Sequence, residues 1–203
     1  MKGSLKLLLV GAGFASLMSY RSFAGAPLPA KTLLTPERLQ VYSDFIESFS
    51  RTNFRVLSNR TFPLDLSGLG KNAACMQGLQ LDDTQEWSQA IHSLGPEVLR
   101  GQSIQIVDEQ EETAILKQRD LDVATHGKDY MIDASGMPRD LGVLALSEIV
   151  FDKSHRFAVL KYVFLCGAHC NSGAILVLEK VGSRWTGKTR RACTFEMNRD
   201  NPR

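Results

Sequence analysis

The chain has 203 residues, 24 Lys and Arg against 22 Asp and Glu, and four cysteines. That length suits one domain able to bury a real core. Three of the basic residues, Lys2, Lys6 and Arg21, lie in the first 24 positions; without them the balance is 21 to 22, net −1, which lacks the basic footprint of a nucleic-acid-binding domain.

Residues 1–24 read as a signal peptide. Lys2 and Lys6 make a basic start, and Leu7 to Met18 is an apolar core of signal-peptide length. That core falls short of the ~20 residues of a membrane span. Cleavage after Ala24, with Ser22 two residues before it, avoids placing Pro27 directly after the cut. An uncleaved amphipathic anchor is the competing reading, kept open by Arg21. The expected location is periplasmic or secreted, with no membrane span once the signal is removed.

A Pro/Ala-rich lead-in covers residues 25–34, and a single domain is expected over 35–198. Thr35 is a good N-cap and Pro36 fits the first helical position, so a helix is expected from Thr35 to about residue 50. Leu39, Tyr42, Phe45, Ile46 and Phe49 fall on one face of it. Phe54 to Leu57 is a short strand candidate, followed by a turn at Ser58-Asn59-Arg60. Gly68, Gly70 and Cys75 sit in an irregular connection that lacks phosphate-loop spacing. A second helix is expected from Asp82 or Asp83 to about Ser93, stopped by Gly95-Pro96.

Ser103 to Val107 reads as a strand. The acidic run Asp108 to Glu112 reads as a solvated turn or helix start, and it lacks EF-hand ligand spacing. Gln118 to Asp140 reads as a long loop. Val143 to Phe151, Phe157 to Leu165 and Ala174 to Lys180 are apolar runs bounded by turn residues, hence strands. Their short connections make them antiparallel neighbours. The middle run is apolar on both faces, so both should be covered. Trp185 lies on the next strand, Arg191 to Met197 forms a last one, and residues 199–203 are a polar tail.

Four cysteines behind an export signal make disulfides the default. Sequence permits three pairings; the preferred one joins Cys166 to Cys170 within one turn and Cys75 to Cys193. Cys-Gly-Ala-His-Cys also admits a metal or redox reading. Cys166, His169 and Cys170 supply at most three of four zinc ligands, so no metal and no cofactor are assigned. Cys170 with His155 would make a Cys-His hydrolase only if the thiol were free. Glu148, Lys161 and Glu179 are charges inside apolar strands. A four-residue turn from Asp152 to His155 would pair Phe151 with Arg156 and set Glu148 opposite Val159, with Lys161 diagonal to it on the same side. An internal ion pair is the bland outcome, and a Glu148/Glu179 carboxylate pair the functional one. Arg184, Lys188, Arg190 and Arg191 form a basic cluster that reads as a solvated strand end or an anion site.

Cys166, Cys170, Gly173, Leu178-Glu179-Lys180 and Trp185 together form a C-x-x-x-C-x-x-G … L-E-K … W hairpin. It resembles one found near the C-terminus in a group of uncharacterised exported bacterial proteins. The likeness covers about the last 60 residues and, less specifically, Thr35 to Pro63. It implies a bacterial exported protein and no particular activity.

The expected fold is α+β, an antiparallel sheet of four to six strands with two helices packed on it, in an NTF2-like or cystatin-like arrangement by analogy. The expected function is a non-catalytic exported domain that binds a protein, peptide or envelope component. The alternative is a secreted hydrolase or a thiol-active or metal-binding protein using the Cys166–Cys170 turn.

Overall fold

The computed structural model describes residues 34–49, 54–66, 74–82, 89–127, 142–167 and 172–193, the last strand as backbone only from residue 188. All belong to the second of two compact units, Lys31–Arg203. The first helix, α1 (Pro36–Phe49), starts where the capping chemistry places it: Arg38 N donates to Thr35 Oγ1 at 3.3 Å. The strands are β1 (Val56–Phe62), β2 (Gln105–Val107), β3 (Val143–Ser147), β4 (Val150–Phe151), β5 (Phe157–Leu165), β6 (Ser172–Val181) and β7 (Arg184–Cys193). The second helix, α2 (Glu109–His126), lies between β2 and β3 in the chain.

The fold class is α+β, but the sheet is mixed. Its order is β2-β1-β3-β5-β6-β7, with β4 also paired to β5. β3 to β7 are antiparallel neighbours as their short connections require, whereas β1 runs parallel to both β2 and β3. The long crossovers between them allow this pairing. Ser58-Asn59-Arg60 is no turn. β1 continues through it with an irregularity: Leu57 pairs with Leu144 and Thr61 with Leu146, four steps against two.

Three further expectations are corrected. Residues 89–93 are not helical; Ser93 bridges Arg60 instead, while 83–88 lie outside the described residues. Gln118 to His126 is the second half of α2, not a loop, and 128–141 lie outside the described residues. The acidic run begins α2 with a capping box: Asp108 accepts from Glu111 N at 2.9 Å and Glu111 accepts from Asp108 N at 3.1 Å. Finally, one strand runs Arg184–Cys193 where a break before Arg191 was expected, and 194–197 lie outside the described residues.

Alternation along the strands sorts the core onto two faces. Leu144, Leu146, Ala158, Leu160, Phe164 and Leu178 pack against Val41, Tyr42, Phe45 and Ile46 of α1. On the other side, Val143, Ala145, Val163 and Leu165 meet Ile115 and Leu116, both from α2. Val159, Ile175 and Val177 meet Leu64, Cys75 and Leu79. Both faces of β5 are therefore covered, which is why that strand is apolar apart from Lys161. Gly173 marks a close approach: a Cβ there would run into Tyr162 O and lie 3.1 Å from Val163 Cα.

Candidate functional site

A bulge positions the central polar group. Leu146 pairs with Tyr162 and Val150 with Val159, so β3 and β4 advance four residues while β5 advances three. The extra residue falls at Glu148-Ile149. It turns both side chains to the α1 side, where strict alternation would have sent one to each face. Ile149 joins the α1 core and Glu148 is fully buried.

A buried carboxylate must be paired and hydrogen-bonded. Glu148 Oε2 accepts from Arg38 Nη1 at 2.7 Å. Its Oε1 accepts from Thr61 Oγ1, from His92 N at 3.1 Å and from His92 Nδ1 at 2.9 Å. Helix α1, strand β1, the 89–95 segment and the bulge thus meet on one carboxylate. A carboxylate that is ionised only accepts, so the ring of His92 is the donor in the Nδ1 contact. Tyr42 Oη donates to Ser147 O at 2.8 Å beside this group. Burial, then the Glu148 charge, pushes the Tyr42 phenol well above its ordinary range, against an opposing pull from Arg38.

Asp44 is the second buried carboxylate. It accepts from Arg100 Nη1 at 2.6 Å and from Trp185 N at 2.8 Å, and Arg184 Nε lies 3.2 Å away. The start of β7 is thereby tied to α1. Asp152 closes the β4–β5 turn, accepting from Arg156 N at 2.9 Å, Phe157 N at 2.6 Å and Ser154 Oγ. Burial pushes its carboxyl up, but the bonds from Ser154, Phe157 and Arg156 outweigh this and hold it below the usual range.

The sequence-chosen residues do not form one site. The β4–β5 turn pairs Phe151 with Ala158, not Arg156, because Asp152 N donates across it to Phe157 O at 2.9 Å. With the bulge, this puts Glu148 on the α1 side, while Lys161 sits opposite Ile175 on the other face, 5.8 Å over the Phe62 ring. Burial pulls the Lys161 ammonium below its usual range, partly offset by the Asp65 charge. Glu179 shares the Val177 face and meets Arg156 Nη2 at 3.1 Å. The Glu148/Glu179 carboxylate pair and the Glu148–Lys161 ion pair are both overturned by this parity. His155 is separate again. Its Nδ1 lies 2.8 Å from Glu37 Oε2, and its ring stacks on Phe151 at 5.1 Å. Burial raises the Glu37 carboxyl, yet bonds from Lys180 and His155 leave it lowered. His169 and Cys170 lie outside the described residues.

Cys75 and Cys166 are each disulfide-bonded, so neither offers a thiolate. Their partner sulfurs lie outside the described side chains. Among the described residues, no cluster of three His, Cys, Asp or Glu is placed to hold a metal ion. No described helix is long and apolar enough to cross a membrane.

Part of the basic cluster falls on a third irregularity. Gly187 stands opposite Leu178 and Ala192 opposite Leu176, so β7 advances five residues while β6 advances two. Lys188, Thr189, Arg190 and Arg191 therefore form a bulge facing the single residue Val177. β6 is the one strand that pairs with β7 among the described residues. No family model, curated protein or solved structure matches the chain.

Proposed function

We propose that the chain is an exported domain that binds a protein, peptide or envelope component, with residues 1–24 removed on export. One observation carries this reading: three cations stand in a bulge on the last strand of the sheet. Bulges at sheet edges re-aim side chains and mark functional positions more often than chance. The buried carboxylates support it from the other direction. Glu148, Asp44 and Asp152 are spent on holding elements together. The test is co-sedimentation of the exported chain with isolated cell envelope. Saturable binding supports the reading; a chain left wholly in the supernatant at every concentration contradicts it.

A second reading, hydrolysis, has one observation in its favour. His92 Nδ1 lies 2.9 Å from the carboxylate of Glu148, a pairing that orients the ring as a general base is oriented. It moves the catalytic alternative away from the Cys166–Cys170 turn, where Cys166 is spent in a disulfide. Hydrolysis of p-nitrophenyl esters that disappears in His92→Gln would establish it. Rates equal in the two proteins would remove it.

A further inference from the structure

Glu37, in the first turn of α1, holds two side chains that each lie against a buried aromatic ring. Its Oε1 accepts from Lys180 Nζ at 2.9 Å, and that ammonium sits over the Trp185 ring, 5.4 Å from its centroid. Its Oε2 lies 2.8 Å from His155 Nδ1, and the His155 ring stacks on Phe151 at 5.1 Å. Phe151 and Trp185 are in turn 5.6 Å apart. Lys180 and Trp185 are register partners on β6 and β7, so both side chains leave the hairpin on the α1 side.

The surroundings of Lys180 Nζ are those of an ammonium site, with a carboxylate on one side and the face of an indole on the other. The walls are fixed. Trp185 is 3 % exposed, packs in the α1 core and has its backbone N bonded to Asp44 at 2.8 Å. Glu37 keeps its second oxygen on His155. The occupant is held less firmly. Its side chain is 37 % exposed, it is the penultimate residue of β6, and a flexible four-carbon stem carries its charge. A part-exposed ion pair and a cation over a ring near the surface each hold weakly, so Lys180 can leave while the walls stay in place.

The occupant also defines the competitor. The site accepts a lysine side chain, and a lysine of another polypeptide brings the same ammonium on the same stem. We propose that Lys180 occupies, in cis, a docking site for a lysine side chain of a polypeptide partner, formed by the Glu37 carboxylate and the face of Trp185. The partner's ammonium takes the place of Lys180 on binding. The inference rests on the binding reading above and names the chemistry of its partner.

The probe is Nα-acetyl-lysine methylamide, titrated into the purified chain, with the norleucine analogue as the control that keeps the stem and lacks the ammonium. The Trp185 indole N–H resonance reports occupancy, and Trp87→Phe separates it from that of the second tryptophan. The tethered ammonium competes at an effective concentration of about millimolar, so the parent chain should respond weakly. Lys180→Gln and Lys180→Met remove the competitor and should each bind the probe about fivefold tighter than the parent. Glu37→Gln added to either should abolish the response, and the norleucine analogue should give none. Circular dichroism and the urea midpoint identify any variant that has failed to fold.

Folded Lys180 variants that bind the probe no better than the parent would overturn the proposal, and so would an equal response to the norleucine analogue. Glu37-dependent binding to phosphatidylethanolamine vesicles, without a response to the lysine probe, would move the ammonium to a lipid headgroup and overturn the polypeptide assignment. Co-sedimentation with envelope that is the same in the parent and in Glu37→Gln, again without a response to the probe, would overturn this site while leaving the binding reading intact. A parent chain that neither sediments with envelope nor responds to the probe would remove both.

Discussion

Arg38 Nη1 lies 2.7 Å from Glu148 Oε2, across 110 positions of sequence. The pair joins the first turn of α1 to the bulge between β3 and β4. Its surroundings make it a shared anchor, since Thr61 and His92 occupy the other carboxylate oxygen. Removing the acid takes away an acceptor that a guanidinium, a hydroxyl and an imidazole N–H share. Glu148→Ala should therefore destabilise the domain by about 3–5 kcal/mol in urea unfolding. Glu148→Gln, which keeps one acceptor oxygen, should lose less. A loss for Glu148→Ala under ~1 kcal/mol would show that the anchor does not hold α1.

Tyr42 gives a prediction at alkaline pH. Its phenol is raised in the folded state, so the folded chain holds that proton longer than the unfolded chain does. The sign follows from linkage: the contribution is fully present below the ordinary phenol value near ~10 and is lost as pH rises toward the folded value. Tyr42→Phe should cost about 1 kcal/mol at neutral pH, through the unpaired Ser147 carbonyl. It should also lose less stability than the parent between about pH 10 and 11. Thermal midpoints across that range check both, and parallel pH curves would refute the second.

Asp152 acts in the opposite direction. Its folded carboxyl is lowered, so its stabilisation is present above the ordinary carboxylate value and lost as pH falls through the folded one. Asp152→Asn should be less stable than the parent at pH 7, and the gap should narrow as pH falls below about 4. A gap that is constant with pH would place its origin in turn geometry and not in the charge.

Two glycines of the last hairpin should respond differently to a methyl group. At Gly173 the added Cβ meets the backbone of β5, which cannot give way, so Gly173→Ala should cost about 1–3 kcal/mol. At Gly187 the nearest atom is Leu178 Cδ2 at 3.6 Å, an ordinary contact. Gly187→Ala should be neutral or stabilising by up to about 1 kcal/mol. Urea unfolding of the two variants checks the contrast.

How far the sequence exposes this structure depends on which signal each element carries. β5 is legible because it is apolar on both faces and bounded by turn residues, and α1 because Thr35-Pro36 precedes a regular apolar stripe. β1 is obscured by Ser58, polar yet buried, which with Asn59 and Arg60 reads as a turn. α2 is charged on most of its surface and even buries Glu112 and Arg119, so periodicity does not reveal it. The capping box at Asp108 and Glu111 is the local signal that marks its start. The site was only half legible. Glu148 stands out as a charge in an apolar strand, but its partners come from three distant segments. A single bulge decided which face it took, and no pattern in the strand announces that residue.

The cysteines remain a sharp chemical test. We propose the pairs Cys166–Cys170 and Cys75–Cys193. Cys193 stands opposite Ile175, which packs in the same cluster as Cys75. Mass spectrometry of a non-reduced digest should show both links. In the loop-entropy model the long crosslink is worth about 2–3 kcal/mol more than the short one, so removing Cys75 with Cys193 should lower stability further than removing Cys166 with Cys170. A peptide joining Cys75 to Cys166 or Cys170 would refute the pairing.

The claim of an exported, envelope-binding domain meets its most direct test in fractionation of bacteria that make the full chain. The intact mass of the recovered protein should correspond to a start at Gly25. The protein should lie outside the cytoplasm, sediment with the envelope, and be released from it by raised salt. A full-length chain recovered from the cytosol, soluble at low salt, would contradict the account.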